Sequence, residues 1–128
     1  MPSARIAIVG GPGTGKTTEA RALSERLSLD PCHTDQWMEL PWSDQSKQVV
    51  TWLDKHSDNP FVIEGCMVAR GLRKWLTTHA GKPVDEIYLL KTVHKALTKR
   101  QRAMKRGVET VFRGIASDLK ARGVVIHG

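Results

Sequence analysis

Eight consecutive residues, Gly10-Gly11-Pro12-Gly13-Thr14-Gly15-Lys16-Thr17, match the pattern G-x-x-x-x-G-K-Ser/Thr. Each position in that spacing has a mechanical reason. Glycine lets the backbone turn sharply and brings its N–H groups inward with no Cβ in the way. Those N–H groups, with the N-terminus of a following helix, form a cradle for a polyphosphate. Lys16 would reach the β- and γ-phosphates, and Thr17 would place its hydroxyl on Mg²⁺. The expected chemistry is therefore the binding of a nucleoside triphosphate with magnesium, ATP ahead of GTP, a choice the motif itself leaves open. At average residue frequencies this pattern arises by chance in a chain of such length well under about 1% of the time.

A phosphate loop needs a strand before it and a helix after it. Ile6-Ala7-Ile8-Val9 is a short apolar run that reads as a buried strand. Over residues 16–28, Ala20, Leu23 and Leu27 fall on one helical face. Cys32-His33-Thr34 is expected as a second, short strand with Asp35 at its C-terminal end. Pro41-Trp42-Ser43 opens a helix with Ser43 as N-cap and Val49, Val50, Trp52 and Leu53 as its apolar face. After the Asn59-Pro60 turn, Phe61-Val62-Ile63 reads as a strand ending at Glu64-Gly65. A helix over Val68–Thr78 is closed by Gly81, and a strand covers 84–90. A basic helix over 92–106 is expected to break at Gly107, before a last helix over 109–121 and a strand at Val124-Val125-Ile126. This alternation predicts βαβ units. The expected fold is a single α/β domain, 1–128, built as a three-layer α/β/α sandwich with a parallel sheet of four to five strands.

The bulk numbers agree with one domain. The chain has 128 residues, 40% apolar and 26% charged, ordinary values for a globular domain. It has no run of about 18 apolar residues. The apolar run that ends at Gly10 is too short for a signal peptide and leads into glycines rather than a cleavage site. The expectation is a cytoplasmic protein with no membrane partner. Cys32 and Cys66 form no Cys-x-x-Cys pair and are expected as small buried apolar residues. The formal charge of +7 is uneven: residues 91–122 hold ten Lys/Arg and two acids, net +8, and the rest nets −1. A segment of that sign suits nucleotide phosphates or nucleic acid, and equally a solvated helical face.

With its phosphate loop in view, the chain resembles the small P-loop kinases: the adenylate, shikimate and gluconate kinase group, and polynucleotide kinase. The likeness covers most of the length in the order and spacing of elements, and its one highly specific motif is the loop. It implies a cofactor-binding set of Gly11, Gly13, Thr14, Gly15, Lys16, Thr17 and Thr18. In these kinases an acid ends the second strand and faces the acceptor hydroxyl. Asp35 matches that position and would orient the hydroxyl or accept its proton; Asp is also a favoured helix N-cap. Glu64, in Phe61-Val62-Ile63-Glu64-Gly65, matches the acid ending the third strand, where it would join Thr17 and Asp35 around Mg²⁺. The same set of acceptor contacts includes Arg70, for an anionic group, and Trp37. Trp42 lies in the same covering segment, and both tryptophans also suit core or lid packing. The stretch 87–90 and the basic residues after it look like the family's fourth strand and lid. The lid is expected around 100–113. It would supply Arg100 to the nucleotide and Arg102 and Arg106, with Arg113 as a further candidate, to the phosphoryl group in transit.

The resemblance implies an ATP- and Mg²⁺-dependent kinase that transfers the γ-phosphate to a hydroxyl. The acceptor would be a nucleotide, a small metabolite or a nucleic acid, including a modified base. The chain is shorter than adenylate kinases, with no separate nucleotide-monophosphate domain and a stronger basic third. A P-loop ATPase or nucleotide-sensing module, with water as the only acceptor, is the rival reading.

Overall fold

In the computed structural model, which describes residues 4–128, strands and helices alternate from end to end. In chain order these are β1 (Arg5–Gly10), α1 (Lys16–Leu27), β2 (Cys32–His33) and a 3-10 turn (Thr34–Trp37). There follow α2 (Trp42–Lys55), β3 (Phe61–Glu64), α3 (Val68–Thr78), β4 (Glu86–Leu90), α4 (Lys99–Ala121) and β5 (Val125–His127). All five strands join one parallel sheet in the order β2-β3-β1-β4-β5. The fold is the expected α/β class.

Strand alternation distributes the apolar residues between two layers. Ile6, Ile8 and Val62 pack with Ala20 and Leu23 of α1 on one face. Ala7, Val9, Ile63 and Ile87 join the larger core on the other face, with Leu72 of α3 and Phe112 of α4. Helix α2 packs on α3 through Val49 and Leu53. Burial on both faces is why these strands read as continuous apolar runs. From β1 the chain steps to β2 across one side of the sheet, and every later crossover steps back the other way. Crossovers of a single hand therefore leave α1 alone on its face. The reversal also opens a crevice beyond the C-terminal ends of β1 and β3, where open α/β sheets bind ligands.

Four local expectations are corrected. Residues 91–98 are irregular rather than helical, and α4 begins after Thr98. There the Thr98 hydroxyl accepts from the Gln101 N–H at 3.1 Å, and Gln101 Oε1 accepts from the Thr98 N–H at 3.0 Å, a capping box. Gly107 does not interrupt α4. The buried positions Val108, Phe112, Ile115 and Leu119 hold the helix to the core, and their burial outweighs the roughly 1 kcal/mol that a mid-helix glycine costs. Ser43 does not cap α2. Pro41 precedes the first helical residue, and the Ser43 carbonyl accepts from Ser46. Gly81 does not cap α3, whose C-cap is His79; with φ +82°, Gly81 turns the loop beyond it. Among the described residues no helix is long and apolar enough to cross a membrane.

Candidate functional site

The loop between β1 and α1 has the geometry its glycines require. Gly13 and Gly15 adopt φ +74° and +83°, where an L side chain is strained. Gly11 is glycine for a different reason. A Cβ there would stand 2.6 Å from Cα of Lys105 in α4, and one on Gly13 would stand 2.9 Å from Leu97 Cδ2. The loop is held by Thr14 Oγ1 donating to the Gly11 carbonyl at 2.8 Å, and Lys16 Nζ donates to the same carbonyl at 2.9 Å. Helix α1 starts at Gly15 without a side-chain cap, which leaves its first N–H groups and positive dipole end for an anion. Beside this N-terminus lies an open hollow of about 440 Å³ lined by Thr14, Gly15, Thr18, Glu19, Leu90 and His94.

Sheet pairing brings a carboxylate to the loop. Ile8 of β1 is in register with Glu64 of β3, and Glu64 with His33 of β2. Glu64 is 3% exposed. An isolated charge at that depth is costly. Two partners meet Glu64 Oε2: Thr17 Oγ1 donates to it at 3.3 Å, and His33 Nδ1 forms a hydrogen bond to it. The Thr17 hydroxyl and the Glu64 carboxylate are hard oxygens at hydrogen-bond separation beside a phosphate cradle. That donor set fits Mg²⁺, which takes one or two protein oxygens and completes its shell with waters and substrate phosphates. Asp35 is not drawn into this pair; it lines the neighbouring cleft.

That cleft, about 150 Å³, is lined by Thr34, Asp35, Trp42, Cys66, Arg70 and Met104 among others. Its wall is fixed by Gly65, at φ +144°, where a Cβ would fall 1.7 Å from Thr34 Oγ1. Cys66 links the cleft to the loop. Burial pushes its thiol up, the Lys16 ammonium opposes that rise, and the Asp35 carboxylate adds to it. Lys16, Cys66 and Asp35 are thus electrostatic neighbours. Cys32 lies deeper, its thiol pushed up to about 12 by burial and the Glu64 charge, so it is unreactive. The Arg70 guanidinium carbon sits 4.8 Å above the Trp42 ring centroid. Burial, then the charge of Arg73, holds the Arg70 pKa below its ordinary value. Trp37 packs partly buried against the main core.

The basic residues divide into two groups. Segment 91–98 lies across the loop: the His94 N–H donates to the Gly13 carbonyl at 2.9 Å, and Leu97 covers Gly13. Arg102 Nη1 donates to the Leu97 carbonyl at 2.8 Å, and Arg102, Lys105 and Arg106 share a hollow with Val93 and Leu97. These residues, in the first turns of α4, are within the covering layer of the loop. Arg100 is exposed in the first turn of α4, and Arg113 lies farther along beside Leu89 and Lys91. Residues 100–113, expected as a lid, are one continuous stretch of α4. Sequence reasoning did not single out His33, Cys66, His94 or Lys105 for the site. His33 and Glu64 meet only because β2 pairs with β3, a nonlocal fact.

No protein-family model and no curated protein sequence matches the chain. Among solved structures, a shikimate kinase from Acinetobacter baumannii in complex with shikimate superposes with a TM-score of 0.55 over 98% of this chain and 83% of its own, at 16% sequence identity. The likeness is one of fold, and on this chain that fold is an α/β domain with a five-stranded parallel sheet.

Proposed function

We propose that the chain is an ATP- and Mg²⁺-dependent kinase that transfers the γ-phosphate to a hydroxyl held beside Asp35. The observation that carries this reading is a second cleft next to the phosphate loop, joined to it through Cys66 and holding both a carboxylate and a guanidinium. Hydrolysis needs room only for water, whereas transfer needs a place for an acceptor.

In this reading residues 1–128 form one kinase domain. Gly11, Gly13, Thr14, Gly15, Lys16 and Thr18 bind the triphosphate, and the hollow by Leu90 and His94 takes the nucleoside. Thr17 and Glu64 would hold Mg²⁺, which would supply charge neutralisation at the triphosphate. Asp35 orients the acceptor hydroxyl and takes its proton as the oxygen attacks Pγ. The bond from Pγ to the bridging oxygen breaks, and ADP leaves with that electron pair. Lys16, Arg102 and Arg106 stabilise the equatorial oxygens of the phosphoryl group in flight, with Arg100 at the nucleotide. Trp37 supports the wall of the acceptor segment, and Arg70 faces the acceptor. Candidate acceptors are a metabolite, a nucleotide or a nucleic-acid hydroxyl, and ATP as donor goes with a cytoplasmic location.

The test is transfer of radiolabelled γ-phosphate from ATP–Mg²⁺ to parallel pools: nucleosides and nucleotides, small hydroxylated metabolites, and DNA or RNA with ordinary and hydroxylated bases. Label should appear on one pool. Asp35→Asn should cut that transfer by about a hundredfold or more, the scale of a lost general base. Lys16→Ala should cut it by a similar or larger factor. Label found only as free phosphate, at a rate no acceptor changes, would replace the kinase with an ATPase or nucleotide-sensing module.

A further inference from the structure

Outside the acceptor cleft, helices α2 and α3 leave a groove of about 490 Å³ between them, lined by Trp42, Ser43, Ser46, Arg70, Arg73 and Lys74, with Thr77 at its end. Its charge is of one sign. Three cations line it and no acid does. None of the ion pairs among the described residues involves Arg70, Arg73 or Lys74. What sets these three apart is that they line one groove together with no acid among its lining residues. Lys74 donates to the Ser43 carbonyl at 3.3 Å, and burial, then the Arg73 charge, lower the Arg70 pKa, so like charges crowd this groove. A polyanion would relieve that crowding.

The groove also holds an aromatic surface. Trp42 is 54% exposed although it is the first residue of an amphipathic helix. The Arg70 guanidinium carbon lies 4.8 Å from the ring centroid, and more than half of Trp42 stays exposed. Arg70, Arg73 and Lys74 follow α3 at i, i+3 and i+4, so the cations are offset by roughly 5 Å along one helix face. The groove and the acceptor cleft adjoin, with Trp42 and Arg70 lining both. A stacking platform and a row of cations beside a second cleft are what a single strand of nucleic acid requires. A compact metabolite would use only the cleft.

We propose that the α2–α3 groove is a binding site for single-stranded nucleic acid. One base stacks on Trp42, the flanking phosphates lie on Arg70, Arg73 and Lys74, and the adjoining nucleotide enters the cleft beside Asp35. The last step rests on the kinase reading above; strand binding itself does not. This site differs from the basic segment 91–122, where Lys105 and Arg122 are engaged within the fold.

Fluorescence anisotropy with labelled single-stranded DNA and RNA probes of about ten nucleotides, within the usual span of such sites, tests the proposal over a range of NaCl. Saturable binding is expected to at least one probe, with a log–log salt slope of about −2 for three phosphate contacts. Trp42→Ala should weaken it about five- to hundredfold, the loss of one stacked base. R73E/K74E should weaken it tenfold or more and flatten the slope to about −0.7. R21E/R26E, with the same change of charge on the exposed surface of α1, should leave the slope unchanged. R73Q/K74Q keeps the test open if the charge reversal does not fold. Equal losses in the two charge-reversal variants would reduce the binding to net charge and overturn the site. So would the absence of saturable binding to both probes, or displacement of the probe by a free mononucleotide as readily as by an unlabelled strand. A fluorescent ATP analogue measured in parallel on the wild-type protein separates the two readings. If it binds while the strands do not, only the groove assignment fails. If strands bind and the analogue does not, the kinase reading fails and the groove stands.

Discussion

At the scale of residues, the site turns on one oxygen. Glu64 Oε2 meets both the Thr17 hydroxyl and the His33 ring, and the carboxylate is buried. In the proposed kinase reading His33, whose ring meets Glu64, acts through that carboxylate as a positioning residue. That reading gives Glu64 to Mg²⁺, and groups that orient a metal-binding carboxylate matter about ten- to hundredfold for metal affinity or activity. His33→Ala is therefore expected to raise the Mg²⁺ concentration for half-maximal turnover by about that factor, with little change in the KM for ATP at saturating Mg²⁺. His33→Asn, which restores a donor, should recover much of the loss. A fall in turnover alone, with the Mg²⁺ dependence unmoved, would give His33 a different role. The residue pattern made Lys16 and Thr17 legible because the loop is contiguous and each member has a separate mechanical reason. Glu64 was legible as the acid that ends β3, whereas Asp35, expected at the end of a strand over Cys32-His33-Thr34, lies in the 3-10 turn Thr34–Trp37 after a two-residue β2. His33 was not legible, because its significance comes only from lying in register with Glu64 on a neighbouring strand.

At the scale of elements, helix boundaries were misread where polar residues carried the information. Thr98 and Gln101 spell a capping box, a signal present in the sequence and overridden by the expectation that basic residues from 92 onward form one helix. Gly107 read as a break because glycine disfavours helix, but four apolar side chains below it anchor α4. Arg122 read as part of a phosphate-seeking segment. It instead donates to the Leu76, His79 and Gly81 carbonyls and pairs with Asp118, tying the end of α4 to the end of α3. Glycines inside helices can now be told apart. Gly71 of α3 has no room: a Cβ would stand 2.2 Å from Val49 Cγ1, and Val49 is fully buried. Gly114 of α4 is open, and a Cβ there would meet nothing within 4 Å. Gly114→Ala is expected to stabilise the protein by up to about 1 kcal/mol through helix propensity. Gly71→Ala should destabilise it by about 1–3 kcal/mol through overpacking of α2 on α3. Urea unfolding of the two variants measures both. Equal, stabilising effects would mean that the α2–α3 contact yields without cost.

At the scale of the whole molecule, alternation of strands and helices made the α/β class legible, while the strand order was not. Nothing local says that β1 lies between β3 and β4, whose residues are more than fifty positions away. That order determines what the phosphate loop touches. Gly11 meets Lys105 of α4, Gly13 meets the 94–97 segment, and Thr17 meets Glu64 of β3. A ligand in the cradle therefore engages parts of the chain from both sides of the central strand, and these contacts exist only in the folded state. Binding to the folded state alone stabilises it by about 2.7 kcal/mol at a hundredfold excess over Kd. For a domain of this size that corresponds to a rise of about 10 °C in Tm. ATP with Mg²⁺ should thus raise the melting temperature by about that amount in a single transition, because the sheet and its two helical layers share the strands the ligand joins. ATP without the metal should give a smaller rise, since Thr17 and Glu64 then contribute less. Lys16→Met should abolish most of the shift while melting near the wild-type temperature without ligand, its amine being only partly buried and bonded to one loop carbonyl. An undiminished shift in that variant would place the nucleotide away from the loop, and a shift confined to part of the melting curve would mean that the cradle is not coupled to the rest of the fold.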